Sequence, residues 1–214
     1  GGLLLLGGRI SDFWGRKRAF MTGLLGFAGA SAIGGLAQNQ EMLFAARALQ
    51  GVFAALLAPA ALSLISTTFS DSKERAKAFG VYGGLSAGGA AIGLILGGLL
   101  TQYASWHWCL LVNVPIAIAA YLLAIPNVKE SKASGDTRYD IPGAITSTLG
   151  LVSLVYGITQ AGELGWSDSV TLTWFGAAVA LLAAFFVIEN KTSHPLLPMK
   201  IILDRNRGAS YLTS

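Results

Sequence analysis

From residue 19 onward the chain alternates between long uncharged stretches and short polar ones. The uncharged stretches are 19–40, 48–70, 78–128, 141–162 and 169–188, the second reaching back to 42 if Arg47 is admitted. The hydrocarbon core of a bilayer takes roughly 20 apolar residues in a helix, so each stretch is long enough to cross it. The third is too long for one crossing, and its polar cluster "TQYASWHW" divides it into 78–101 and 108–126. Six full spans result, preceded by the last turns of another at 1–8. No stretch keeps the strict two-residue alternation of a membrane barrel. Backbone groups in lipid then find partners only inside helices. The predicted fold class is all-α, a polytopic helical bundle in a membrane.

Composition agrees. Hydrophobic residues make up 53% of the 214 and charged residues 12%, where soluble domains carry about 25% charge. That is too little charge to cover a water-facing surface. The chain opens inside an apolar run and ends at "GASYLTS", where another begins, so it reads as an internal piece of a longer protein. Cys109 has no second cysteine to pair with, and His107 and His194 are too few for a metal cluster. No G-x-x-x-x-G-K-[ST] phosphate loop and no Ser–His–Asp set occurs. The expectation is a non-enzyme without a cofactor.

A net charge of +4 invites an acidic partner such as nucleic acid, but its distribution points elsewhere. The loop at 9–18 holds Arg9, Arg16, Lys17 and Arg18. Loop 38–41 holds no basic residue, and the third carries Lys73, Arg75 and Lys77. Loop 102–107 is again empty, the fifth carries Lys129, Lys132 and Arg138, and 162–168 is empty. Lys191, Lys200, Arg205 and Arg207 fill the seventh. Every Lys and Arg except Arg47 thus falls in alternate loops. Positive loops stay cytoplasmic, so the alternation supports the span count and sets the orientation. Trp106, Trp108, Trp166 and Trp174 flank the proposed outer ends, as interfacial aromatics do.

Arg47 lies about six residues inside its span. Either it snorkels outward or pairs with Glu41, or it faces an aqueous cavity and meets a carboxylate or an anionic substrate. Gln50 and Gly51, at i+3 and i+4, share its helix face and favour the cavity. Between 80 and 98, Gly80, Gly84 and Gly88 recur every four residues, as do Gly89, Gly93 and Gly97. Such stripes let another backbone approach closely; the stripe serves packing alone, or a face that slides during a conformational cycle. Pro59 and Pro115 lie inside spans and invite kinks. "SDSKERAKAF" reads as a loop entering a helix, with Ser70 or Ser72 as N-cap.

These segments together resemble the major facilitator superfamily. "GGRISDFWGRK" is similar to its signature G-x-x-x-D-[RK]-x-G-R-[RK] between helices two and three. Gly8, Asp12, Gly15, Arg16 and Lys17 match, and Phe13 stands where a basic residue is usual. "LFAARALQGVFAA" resembles the fourth-helix signature at Leu43, Arg47, Gln50, Gly51, Ala54 and Ala55, with Phe53 replacing a small residue. The glycine stretch is similar to the antiporter signature of helix five through Gly80, Gly89, Gly93, Gly97 and Gly98, with Leu94 at its proline position. "SWHWCLLVNVP" and the "DIPG" of Asp140 and Gly143 resemble the fourteen-helix drug:proton antiporter branch.

The resemblance implies two helical bundles rocking about a central site. Gly8, Asp12, Gly15, Arg16 and Lys17 would form a cytoplasmic gate latch, with Asp12 pairing with Arg16 or Arg9 or capping a helix of the other bundle. Arg47, with Gln50 and Gly51, would serve proton coupling or the substrate cavity, the proton-carrying carboxylate lying outside the chain. Under this reading 1–126 belongs to the N-terminal bundle and 127–139 is a cytoplasmic loop. Two additional helices occupy 140–188, a second cytoplasmic loop 189–207, and the next helix starts at 208–214. The implied function is proton-coupled efflux of amphipathic organic compounds from a bacterial inner membrane by a functional monomer. Its partners are a small-molecule substrate, protons and the lipid bilayer, with no nucleic acid and only the proton gradient as energy source. An importer or facilitator of a polar solute, or a non-transporting receptor or scaffold, is the alternative.

Overall fold

The computed structural model describes residues 3–133 and 140–192. Among them are eight helices and no strand: α1 Leu4–Trp14, α2 Arg16–Gly35, α3 Gln40–Thr68, α4 Ser72–Tyr103, α5 His107–Leu111, α6 Asn113–Asn127, α7 Ile141–Leu164 and α8 Ser169–Lys191. Arg138, His194, Lys200, Arg205 and Arg207, and with them the predicted segment 208–214, lie outside the described residues.

Short side chains that accept from free helix N–H groups start four of these helices. Asn39 accepts from Met42 N at 2.8 Å and Asp71 from Lys73 N and Glu74 N at 2.9 and 3.1 Å. Asp140 accepts from Gly143 N at 2.9 Å and Asp168 from Val170 N at 2.8 Å. The cap of α4 is therefore Asp71, not either neighbouring serine. A carboxylate is the stronger choice there, because it also meets the positive end of the helix dipole.

The described residues fall into two compact units, one of 10–133 and one of 3–9 with 140–192. In the first, α2 lies against α3, α5 and α6. Its buried residues, Leu24 apart, are small: Ala19, Gly23, Ala28, Ala30, Ser31, Gly34 and Gly35. Leu24, Ala28 and Ala117 form the core, flanked by Phe20, Leu57, Ala120 and Tyr121. At Gly26 the approach is closest, since a Cβ there would stand 2.1 Å from the Phe53 ring. Phe53, the departure in the fourth-helix signature, thus occupies volume that Gly26 leaves free.

The second unit is dominated by the α7–α8 hairpin. Gly143, Ala144, Ser147, Gly150, Ser153, Gly157 and Ala161 are the buried residues of α7, a seam of small side chains at three- and four-residue spacing. A Cβ at Gly150 would come within 2.9 Å of the Leu182 side chain, and one at Gly157 within 3.3 Å of Phe175. Without an aqueous driving force, helices in lipid associate through such close contact. Tyr156 meets Trp174 edge-on at 4.7 Å, and Trp166 stacks on Phe175 at 6.0 Å.

Two sequence expectations change. Among the described residues five stretches are long and apolar enough to cross a membrane: α3, α4, α5 with α6 as one, α7 and α8. The helix at the remaining predicted span, α2, begins three residues early with Arg-Lys-Arg and ends at Gly35. Its Gly- and Ala-rich body makes it less apolar than those five. Near Pro115, which cannot donate to the carbonyl four residues back, the hydrogen-bond pattern changes at Val112 while the backbone stays helical (φ −60°, ψ −25°), so α5 and α6 run on as one span. Finally, "GGRISDFWGRKR" is not an open loop. It is helical from both sides and broken only at Gly15.

Candidate functional site

The break at Gly15 joins α1 to α2 through a backbone with φ 126° and ψ 127°. Only glycine adopts such a conformation without strain. Asp12, one turn before the break, meets Arg16, one residue after it. The guanidinium places Nη2 at 2.9 Å and Nε at 3.0 Å from the same oxygen, Asp12 Oδ1. The pair spans the break at Gly15. Gly8 sits in α1 one turn before Asp12.

A residue that sequence reasoning missed completes this elbow. Glu130, in the segment after α6, accepts from Lys17 N at 3.1 Å through Oε1 and from Arg18 N at 3.3 Å through Oε2. Arg18 Nε stands 3.8 Å from Oε2, and Ser131 N donates to Oε1 at 3.0 Å. The backbone adds two more ties: Arg16 N donates to Ser131 O at 3.0 Å, and Ala133 N to Asp12 O at 2.8 Å. Lys17 Nζ donates to Ile125 O at 2.7 Å, at the end of α6. A Cβ on Gly15 would lie 2.7 Å from Glu130 Oε1, so that glycine is needed for space as well as for its backbone. Of the contacts open to Asp12, the pair with Arg16 is the one seen here. The capping carboxylate is Glu130, and Asp12 is taken up by Arg16.

About 20 Å further along α2, at 1.5 Å per residue, lies the second constellation. Arg47 Nη1 donates to Gln50 Oε1 at 2.9 Å, and Gln50 Nε2 donates to Ser31 Oγ at 2.6 Å. Gln50 and Ser31 are buried, at 3% and 0% exposure, whereas Arg47 is exposed. The arginine is thus oriented by a buried amide that is itself held by a hydroxyl on the neighbouring helix. No ion pair between Arg47 and Glu41 forms among the described residues. Ser31 was missed because nothing about a serine in "AGASAIGG" distinguishes it from other small residues of a packing face. Gly51 has open space beside it.

The glycine set behaves differently. Gly80, Gly89, Gly93, Gly97 and Gly98 all have nothing within 4 Å of an added Cβ, and no residue of α4 is buried. The close approach predicted there is absent among the described residues, and occurs instead along α7. Leu94, at the proline position, is 81% exposed, and α4 runs through it as one helix of 32 residues. Near its end, His107 spans two elements, with Nδ1 2.6 Å from Ser105 Oγ and Nε2 3.2 Å from Ala37 O, just past α2.

With this geometry in hand, comparison with known proteins is informative. The sequence pattern of the Major Facilitator Superfamily matches residues 1–203. The chain belongs to the Major Facilitator Superfamily. It is similar to the puromycin resistance protein pur8 of Streptomyces alboniger, 50% identical over 212 residues, covering 99% of this chain and 42% of that protein. The cephamycin export protein CmcT of Amycolatopsis lactamdurans is 40% identical over 206 residues, covering 94% and 42%. The multidrug transporter protein MdtP of Bacillus subtilis is 30% identical over 208 residues, covering 97% and 38%. The chain therefore spans less than half the length of these curated relatives. As a superfamily member it is a multi-pass membrane protein.

Proposed function

We propose that this chain serves a secondary active transporter that exports amphipathic organic compounds, drugs among them, by alternating access driven by the proton gradient. The observation that carries the reading is similarity along almost the whole chain to proteins named for antibiotic resistance or export. The elbow and the Arg47 relay give that reading parts to work with. Gly8, Asp12, Gly15, Arg16 and Lys17 form the gate motif on the cytoplasmic side, where the basic loops lie. In the conformation described, Arg16 engages Asp12 through Oδ1 alone, so the pair orients the carboxylate for a latch to another bundle.

Arg47, Gln50 and Gly51 line the route for substrate or proton coupling, Ser31 fixing the geometry of Gln50. A guanidinium held in place favours the charged form of any carboxylate that approaches it, and proton release can be timed that way. The glycine face of α4 is the surface that moves against the remainder of the transporter. In this scheme 1–126 is part of the N-terminal bundle and 140–188 a pair of additional helices, joined by 127–139. The monomer works in the inner membrane with no cofactor beyond the proton gradient.

A second reading, import or facilitation of a polar solute, is favoured by one observation, Leu94 in place of the antiporter proline. The deciding experiment uses the full-length transporter reconstituted in vesicles with an imposed pH gradient and puromycin as the probe. Drug movement against its gradient, coupled to counterflow of protons and lost in Arg47→Ala, is expected. Uptake with the gradient in the same direction as the solute would sink export and support import.

A further inference from the structure

We propose that Glu130 is a positioning residue of the gate: it pins the start of α2 to the segment leaving α6, so that elbow, α2 and α6 turn as one body. The inference deepens the transport reading above and rests on it. No signature of the sequence includes Glu130, which lies 113 residues from its backbone partner Lys17. Both of its oxygens are committed, one to Lys17 N and Ser131 N, the other to Arg18 N.

Three features show that the site is built for this carboxylate. Gly15 leaves the space in which it sits. The first N–H groups of α2 have no partners within the helix and present the positive end of its dipole. No side chain at Gly15, the N-cap position, serves them, so the cap comes from across the chain. The backbone pairs Arg16 N with Ser131 O and Ala133 N with Asp12 O hold the same two segments together on either side. A purely local cap would need only one such contact. Here the strap closes over α1 and α2 at once, and the Asp12–Arg16 pair lies inside it. Any motion that frees Asp12 must therefore carry the strap along or undo it.

The test uses the full-length transporter with Cys109 and any other cysteine replaced by serine. Ser131→Cys supplies a thiol within the strap, where the serine hydroxyl is buried. Its maleimide labelling rate, in detergent, depends on neither orientation nor transport. Glu130→Ala should raise that rate about tenfold, and Glu130→Gln, which keeps an oxygen acceptor but no charge, by about threefold. In vesicles the maximal transport rate should fall in the same order, Gln before Ala, at unchanged half-saturating puromycin. Equal labelling rates in all three forms overturn the clamp. Faster labelling with an unchanged maximal rate overturns the gating role. Wild-type protein that moves no drug overturns the transport reading alone, the labelling ratio still deciding the clamp. Should Glu130→Ala fail to elute as a folded monomer, Glu130→Gln carries both measurements.

Discussion

Gly15 is a single residue asked to meet two demands, a left-handed backbone and room for a carboxylate. Gly15→Ala should lower the thermal unfolding midpoint of the detergent-solubilised protein, since a strained residue of this kind costs about 1–3 kcal/mol. Replacing Ser11, its neighbour in α1, by alanine is the control, because it leaves backbone conformation untouched. At Asp12 the expectation is functional. Asp12→Asn keeps the shape and loses the charge-assisted bond to Arg16, so under the proposed function turnover in the vesicle assay should drop about tenfold with an unchanged size-exclusion profile. Unaltered turnover would remove the latch role. Much of this elbow was legible. Glycine, acid and base at fixed spacing named Asp12, Gly15 and Arg16 before any fold was known. Glu130 was not legible, because a single sequence carries no trace of which distant acid meets which helix start. Its loop also holds Asp136, so even the presence of an acid among the basic residues does not single it out. Phe53 shows the converse: a departure from a signature became intelligible only once Gly26 was seen beneath it.

Among the elements, glycine stripes of similar appearance do different work. The stripe of α4 and the seam of α7 both repeat small residues at helical spacing, yet only α7 packs on them among the described residues. Spacing reports that a close approach is permitted, while the partner decides whether it happens. Hence Gly150→Leu, driven into Leu182, should destabilise the protein by about 1–3 kcal/mol, read as early thermal aggregation. Gly93→Leu should leave the thermal midpoint within a degree or two of wild type and strike at transport instead. A stability loss at Gly93 equal to that at Gly150 would mean that its face is packed at rest. Helix existence followed from uncharged length, but helix ends did not. The elbow reads as a loop because charges cluster there, whereas arginine and lysine are good helix formers and only Gly15 enforces a break.

For the molecule as a whole, alternate basic loops predict which ends face the cytoplasm. Gln38→Cys, between α2 and α3, should react with an impermeant maleimide added to intact cells. Ser72→Cys, at the start of α4, should react only after permeabilisation. Both positions are exposed, unlike Ser11, whose burial makes it a poor probe. The reverse pattern would invert the topology. The α7–α8 hairpin has a consequence of its own. Its seam is closed between its own two helices, and an antiparallel pair returns the chain to the side from which it set out. Such a pair can be gained or deleted between the same flanking spans without turning any later span upside down, whereas a single helix would invert all that follow. A self-packed hairpin is thus a unit of membrane-protein length that changes in steps of two.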